Sequence, residues 1–133
     1  MSAARKFKPR ITSAEYLELE RAAQYKSEFY QGEMIEMVGA SLIHNRVKDN
    51  LVRAFGNRLS NGPCQEFSSD AKIYVDRTGS YFYPVVVVVC GKPEVQDGKG
   101  DVLLNPVVVV EILSPSTESF DRGMKFWLMS RSR

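Results

Sequence analysis

The chain has 133 residues, of which 44% are hydrophobic, so it can bury a core and lies well outside the composition of disordered chains. The formal net charge of +2 produces no strong field for nucleic acid or membranes over the whole surface. No apolar run approaches the roughly 20 residues that cross a bilayer, and no apolar run of the signal-peptide kind follows the basic start. We therefore predict a basic arm over residues 1–10 and one cytoplasmic domain over residues 11–133, with no membrane partner.

Two cysteines, Cys64 and Cys90, have no Cys or His neighbours at zinc-binding spacing. Two thiols in a chain of this length do not form a disulfide scaffold. We therefore expect both side chains to be buried, reduced thiols.

The first part of the domain carries signals for a short helix and a hairpin. Thr12 followed three residues later by Glu15 is the pattern of a capping box, which predicts a helix that ends near Gln24. Two short runs then flank Gln31-Gly32, where the glycine can supply the positive φ of a tight turn. This arrangement predicts a β-hairpin.

A longer apolar period begins at Ser41 and stops at Asn61-Gly62-Pro63. Apolar residues recur every four positions, which is the spacing of one helix face. The pattern therefore predicts the main core helix of the protein. The recurring positions are Ile43, Val47, Leu51, Phe55 and Leu59.

The remaining elements are predicted to be mainly strands. From Ala71 to Asp76 apolar and polar residues alternate, which predicts a strand with Lys72 on its solvated face. Residues 81–90 and 106–113 are rich in valine and apolar on both faces, as in central strands that lie side by side. The order of elements predicts an α/β (α+β) fold with one mixed sheet flanked by helices.

Glu111 is the most informative polar residue, because it follows four valines in a strand that should otherwise be buried. An unpaired carboxylate there costs several kcal/mol, so its charge needs a partner. A divalent cation is one such partner, since hard ions prefer oxygen ligands, and the carboxylate of Glu111 and the backbone carbonyl of Ile112 are both available. The alternative is a strand-end glutamate paired with Lys125 or with solvent.

The segment Glu111-Ile112-Leu113-Ser114-Pro115-Ser116-Thr117 is preceded by Tyr83-Pro84 and a valine strand, and it is followed by Asp121-Arg122 and Lys125. Together these residues resemble the Uma-two family of restriction endonucleases within the PD-(D/E)XK nuclease superfamily. The resemblance covers about residues 11–127. It implies a restriction-endonuclease-like fold and a DNA phosphodiesterase dependent on Mg²⁺ or Mn²⁺.

In this family an Asp after the Pro and a Glu on the adjacent strand hold the metal, which activates water, and a nearby lysine stabilises the developing charge. By resemblance, Glu111 and the Ile112 carbonyl are metal ligands and Lys125 is the lysine. The residue after Pro84 is Val85, however, where the family has the metal-binding aspartate. Because valine donates no oxygen, we expect weak metal binding and impaired cleavage, although Val85 also fits an ordinary buried strand.

Two further candidates for catalysis, Glu28 and His44, follow from the resemblance. Glu28 and Glu33 match acidic positions of the family's hairpin, and Glu28 could reach the metal cleft from the side; a solvated strand position is the alternative for both. His44 matches a position where the family often carries histidine, for phosphate contact or proton relay, but a surface histidine near a helix cap is equally compatible. Asp70 is interpreted as a turn-capping residue.

Candidate nucleic-acid-binding residues lie on the long helix and are Arg46, Lys48, Arg53 and Arg58, so we expect weak, salt-sensitive DNA binding. The family continues beyond the region of residue 127 with elements that this chain lacks, which predicts an exposed apolar flank and either a homodimer or marginal stability. Three functions stay open: an impaired metal-dependent DNA endonuclease, a non-catalytic remnant that binds DNA or protein, and a scaffold without nucleic-acid contact.

Overall fold

The computed structural model describes residues 10–37 and 39–113, which contain two helices and eight strands. Helix α1 spans Ser13–Ala22 and helix α2 spans Leu42–Leu59. Within the described residues, neither helix is long and apolar enough to cross a membrane. The strands are β1 (Ser27–Tyr30), β2 (Glu33–Glu36), β3 (Cys64–Ser68), β4 (Lys72–Val75), β5 (Ser80–Phe82), β6 (Val86–Cys90), β7 (Val102–Leu103) and β8 (Val108–Val110).

Helix α1 begins with the predicted capping box. The hydroxyl of Thr12 accepts a hydrogen bond from the backbone N–H of Glu15 at 3.1 Å, and the Glu15 carboxylate accepts one from the N–H of Thr12 at 2.9 Å. These bonds satisfy two donors that a helix start otherwise leaves unpaired. The helix ends at Ala22 and buries Tyr16 and Leu17 on its inner face.

The predicted hairpin is confirmed. Strands β1 and β2 pair antiparallel, with Tyr30 opposite Glu33. Gln31 and Gly32 join them with φ angles of 50° and 79°, the left-handed conformations of a two-residue type I′ turn. The carbonyl of Gly32 also accepts a hydrogen bond from the N–H of Ile11 at 3.0 Å, which ties the chain before α1 to the turn.

The α+β class is confirmed, but the strands divide into two sheets instead of the single predicted sheet. One sheet has five strands in the order β2-β1-β5-β4-β7, with β4 and β7 parallel, and the other has three antiparallel strands in the order β3-β6-β8. The strand predicted over residues 81–90 is divided at Tyr83-Pro84 into β5 and β6, one in each sheet. Proline cannot donate to a strand ladder, which makes it a suitable break point.

The two sheets share an apolar core. Val87 and Val89 of β6 pack with Ile73, Phe82 and Leu103 of the larger sheet. Strands β6 and β8 lie side by side, as predicted, with Val86 opposite Val110. A second cluster lies beneath α1 and contains Tyr16, Leu17, Phe29, Tyr81 and Val102.

The prediction that the long helix is the main core helix is wrong. Helix α2 packs against β3 and β6 on the outside of the three-stranded sheet, and none of its residues is buried. Leu42 and Ile43, at its start, are 86% and 79% exposed. A small sheet can cover only one side of a helix, so the apolar stripe of α2 is half-buried at best.

The prediction of two reduced, buried cysteines is also wrong. Cys64 and Cys90 lie opposite each other on the antiparallel strands β3 and β6, and they form a disulfide. Cys64 is half-buried and Cys90 is exposed. The pairing was missed because strand β3 was not predicted, so nothing in the sequence placed the two thiols opposite each other.

Candidate functional site

The structure brings together the two positions on which the metal prediction depends. Residue 85 immediately precedes β6, and Glu111 immediately follows β8. The backbone N–H of Val85 donates to the carbonyl of Val110 at 3.0 Å. Because neighbouring strands lie about 4.8 Å apart, residue 85 and Glu111 are close neighbours at the same end of the three-stranded sheet.

Among residues 10–37 and 39–113, the side-chain donors at this end of the sheet are too few for a complete site for a hard cation. Glu111 and Ile112 are half-buried and can offer one carboxylate and one carbonyl, whereas Val85 is 8% exposed and offers no side-chain oxygen. Among the residues that the structure describes, no group of three or more His, Cys, Asp or Glu side chains could hold a metal ion. Lys125, the predicted lysine, lies outside the described residues.

Glu28 lies beside the segment that leads to residue 85. Its side chain is 5% exposed, and its Oε2 accepts a hydrogen bond from the backbone N–H of Tyr83 at 2.9 Å. Since Pro84 and Val85 follow directly, this carboxylate helps fix the entry to β6. Because Glu28 is buried, it does not occupy a solvated strand position. Glu33 is exposed on β2 and does occupy such a position.

A second buried carboxylate, which the sequence gave no reason to select, lies next to this segment. Glu20 of α1 is 7% exposed, and both of its oxygens accept from the N–H of Ser27, at 3.2 and 3.1 Å. Its Oε2 also accepts from the hydroxyl of Tyr83 at 2.6 Å. Burial, together with Glu20, raises the pKa of the Tyr16 and Tyr83 hydroxyls far above the ordinary range, so both stay protonated donors.

Lys72 is the clearest departure from the sequence prediction, because the alternation from Ala71 to Asp76 assigned it to solvent. It is 3% exposed, and its Nζ lies 3.7 Å from Oδ2 of Asp101. The ammonium group also lies 5.7 and 5.6 Å from the ring centroids of Tyr16 and Tyr83. Burial lowers the pKa of Lys72, and the charges of Asp101 and Glu20 oppose that effect.

Lys72 borders a cleft of about 350 Å³ between the turn after β3 and the loop over residues 91–101. The walls include Phe67, Ser68, Asp70, Val95 and Asp101. The Asp70 carboxylate is almost fully exposed and lies 3.2 Å from Nζ of Lys26, in keeping with its interpretation as a turn residue.

His44 lies in the first turn of α2, where its N–H donates to the Oγ of the N-cap residue Ser41 at 3.1 Å. The Nδ1 of its imidazole is buried and has no hydrogen-bond partner among the described residues. The four predicted nucleic-acid-binding residues all lie on α2. Arg46, Arg53 and Arg58 are exposed, and Lys48 is half-buried, 3.8 Å from the Asp49 carboxylate.

Comparison with known proteins identifies relatives along nearly the whole chain. Residues 13–132 match the sequence profile of the Uma2 family, described as "Putative restriction endonuclease". Two uncharacterized proteins of Synechocystis sp. (strain ATCC 27184 / PCC 6803 / Kazusa) are similar, sll1609 with 40% identity over 116 residues and slr1290 with 37% over 125 residues. The aligned parts cover 87% and 93% of this chain but 66% and 64% of the relatives, so the chain spans slightly less than two thirds of their length.

The fold is similar to that of a solved protein from Anabaena variabilis ATCC 29413, whose structure is described as "a putative nuclease belonging to DUF820". The TM-score is 0.71 at 19% sequence identity, and the match covers 88% of this chain and 66% of that protein. This likeness confirms the nuclease-like fold. Because the family profile extends over residues 13–132, this protein belongs to the Uma2 family, as the residues around Glu111 predicted.

Proposed function

We propose that this protein is a nuclease-type phosphodiesterase whose metal-dependent cleavage of DNA is impaired by Val85. The observation that supports the proposal is the neighbouring position of residue 85 and Glu111, joined through the hydrogen bond from Val85 to Val110. A divalent ion held by two carboxylates at such a position would activate water and stabilise the developing charge. Of these two positions only Glu111 carries a carboxylate in this chain, so its affinity for Mg²⁺ or Mn²⁺ would be weak.

In this proposal each predicted residue has a distinct role. Glu111 and the backbone carbonyl of Ile112 are the remaining metal ligands, and Lys125 stabilises charge on the phosphoryl group. Glu28 positions the Tyr83-Pro84 segment through its hydrogen bond to the Tyr83 N–H. His44 would contact phosphate or relay a proton through its imidazole, whose Nδ1 is buried without a hydrogen-bond partner among the described residues.

A non-catalytic remnant that binds DNA is the second candidate. It is favoured by Val85, which is 8% exposed and continues the apolar face of β6. The exposed arginines of α2 supply positive charge for phosphate contacts in both candidates. The two candidates therefore differ in cleavage, not in binding.

The deciding experiment measures plasmid cleavage at low salt with Mg²⁺ or Mn²⁺. Four proteins are compared: the unchanged chain, Val85→Asp, Val85→Asn, and Val85→Asp combined with Glu111→Ala. We expect cleavage from Val85→Asp alone, because only this variant has two neighbouring carboxylates. Asn has the size of Asp without its charge, so Val85→Asn separates a metal ligand from a change of shape.

Val108→Asp serves as a further control, since Val108 is 43% exposed on β8 and lies away from residue 85. Cleavage by this variant would trace activity to added charge in general or to a contaminant. If Val85→Asp is folded by circular dichroism and does not cleave, or cleaves equally well after Glu111→Ala, the nuclease proposal fails and the remnant is favoured.

A further inference from the structure

The side of helix α2 that faces away from the sheet carries an ordered polar stripe. Arg46, Asn50, Arg53 and Asn57 are all exposed. Their spacing of four, three and four residues aligns them along one side of the helix, over about 16 Å at 1.5 Å per residue. The half-buried residues on the opposite side face β3 and β6 and include Lys48, Leu51, Phe55 and Leu59.

The stripe keeps its positive charge. The single acidic residue of α2, Asp49, lies 3.8 Å from Lys48, whose charge therefore offsets it. Arg46 makes no ion pair with another described residue, and Nη1 of Arg53 donates to Oδ1 of Asn50 at 3.3 Å, along the stripe. Two guanidinium groups and two amides thus form a continuous donor-rich surface, with the Asp49 carboxylate at its edge, three residues after Arg46 and four before Arg53.

We infer that this stripe is the surface on which the protein holds double-stranded DNA. Arginine and asparagine are the side chains that combine phosphate contacts with paired hydrogen bonds to base edges, arginine to guanine and asparagine to adenine. A helix about 10–12 Å wide fits the major groove, which is about 12 Å wide. Leu42 and Ile43, exposed at the start of the helix, provide apolar contacts of the kind that thymine methyl groups accept.

The inference rests on the proposed function and narrows the predicted set of DNA-binding residues. Lys48 lies on the sheet side beside Asp49, and Arg58 lies about 120° around the helix from Arg46 at 100° per residue. Neither belongs to the stripe. Asn50 and Asn57, which carry no charge and were not predicted, join it.

The test measures binding of the full chain, with Val85 unchanged and no divalent metal, to a short labelled duplex of mixed sequence by fluorescence anisotropy. The variants are Arg46→Gln, Arg53→Gln and Asn50→Ala, with Arg77→Gln, in an exposed turn outside α2, as the matched control for the loss of one positive charge. Removal of a stripe arginine that contacts a phosphate should reduce the magnitude of the negative slope of log affinity against log salt by about 0.9. Asn50→Ala should weaken binding roughly tenfold.

Arg46→Lys should restore the salt slope, because it retains the charge. Unchanged binding by the two Arg→Gln variants, an equal loss with Arg77→Gln, or no binding to duplex DNA by the unchanged chain would each overturn the inference. This experiment measures binding and not cleavage, so a failure of the inference about the stripe can be distinguished from a failure of the nuclease proposal. If Val85→Asp gains cleavage and the stripe variants bind DNA as well as the unchanged chain, the nuclease proposal is supported and the stripe is rejected as the DNA-binding surface.

Discussion

The ammonium group of Lys72 lies 3.7 Å from the carboxylate of Asp101, although Lys72 is almost completely buried. Burial lowers the pKa of Lys72 below the ordinary 10.5. At pH values between this lowered pKa and 10.5, the unfolded state therefore binds more protons than the folded state. The free energy of unfolding should therefore rise with pH in that window. We expect Lys72→Met to lose this rise, which urea denaturation at a series of pH values will measure.

The series should stop below about pH 10, where unfolded tyrosines begin to ionise. The pKa of Tyr16 is raised in the folded protein, so its ionisation lowers stability above that pH and would hide the lysine effect. Lys92→Met, in an exposed loop, is the control that should keep the alkaline rise. An identical pH dependence in Lys72→Met and the unchanged chain would contradict the prediction.

Removal of the Tyr83 hydroxyl should destabilise the protein. The hydroxyl donates to Glu20 at 2.6 Å, and the carboxylate is buried, so Tyr83→Phe leaves it with one donor fewer. We expect a loss of about 1–3 kcal/mol in the free energy of unfolding. Tyr25→Phe is the matched control, since Tyr25 is 70% exposed and its loss should be below about 0.5 kcal/mol. Equal losses would contradict the assigned role of the bond.

Arg21 should contribute stability that acid removes. Its guanidinium lies 2.7 Å from Asp101 and 3.1 Å from Asp97, and its hydrogen bond lowers the pKa of Asp101. The contribution is present above the ordinary carboxyl pKa and is lost as pH falls through the lowered one. Arg21→Gln should therefore be less stable at neutral pH, by less than about 1 kcal/mol because the pair is partly exposed, and the difference should vanish in acid.

Urea denaturation at neutral pH and again below the carboxyl range measures this effect. Arg77→Gln, an exposed change in a turn, is its control. A difference between Arg21→Gln and the unchanged chain that persists in acid would show that Arg21 acts through packing and not through its ion pairs.

The hairpin turn should tolerate no side chain at residue 32. Gly32 has a φ of 79°, and a Cβ built there would lie 2.8 Å from the Cβ of Arg10. Gly32→Ala combines strain with a clash and should cost more than about 1 kcal/mol. Gly98→Ala is the matched control, because no atom lies within 4 Å of its Cβ position. Thermal denaturation compares the two, and equal midpoints would refute the account of the turn.

Val85→Asp should make stability depend on a divalent metal. A carboxylate at this buried position costs several kcal/mol without a cation, and Mg²⁺ at tenfold its dissociation constant should restore about 1.4 kcal/mol of this loss. The thermal midpoint with and without EDTA measures the effect. The unchanged chain and Val85→Asn should show none, and an equal response from all three would mean that the ion binds elsewhere.

Local sequence signals predicted much of the fold. The capping box of Thr12 and Glu15, the turn at Gln31-Gly32 and the valine runs each depend on residues close together in the chain, so their geometry follows from backbone and side-chain preferences. The residues around Glu111 also identified the family. Prediction failed at Lys72, because alternation reports which face a residue occupies and not what covers that face.

The sequence by itself determined the α+β class, the hairpin, the family and the absence of an aspartate at residue 85, because each follows from residue identity or short-range pattern. Tertiary structure alone decided how the strands divide into two sheets, how Cys64 meets Cys90, and that Glu20 meets Tyr83. It also placed residue 85 beside Glu111. These contacts join residues that lie far apart in the chain, so their partners are selected by the packing of whole elements and by the need to satisfy buried polar groups.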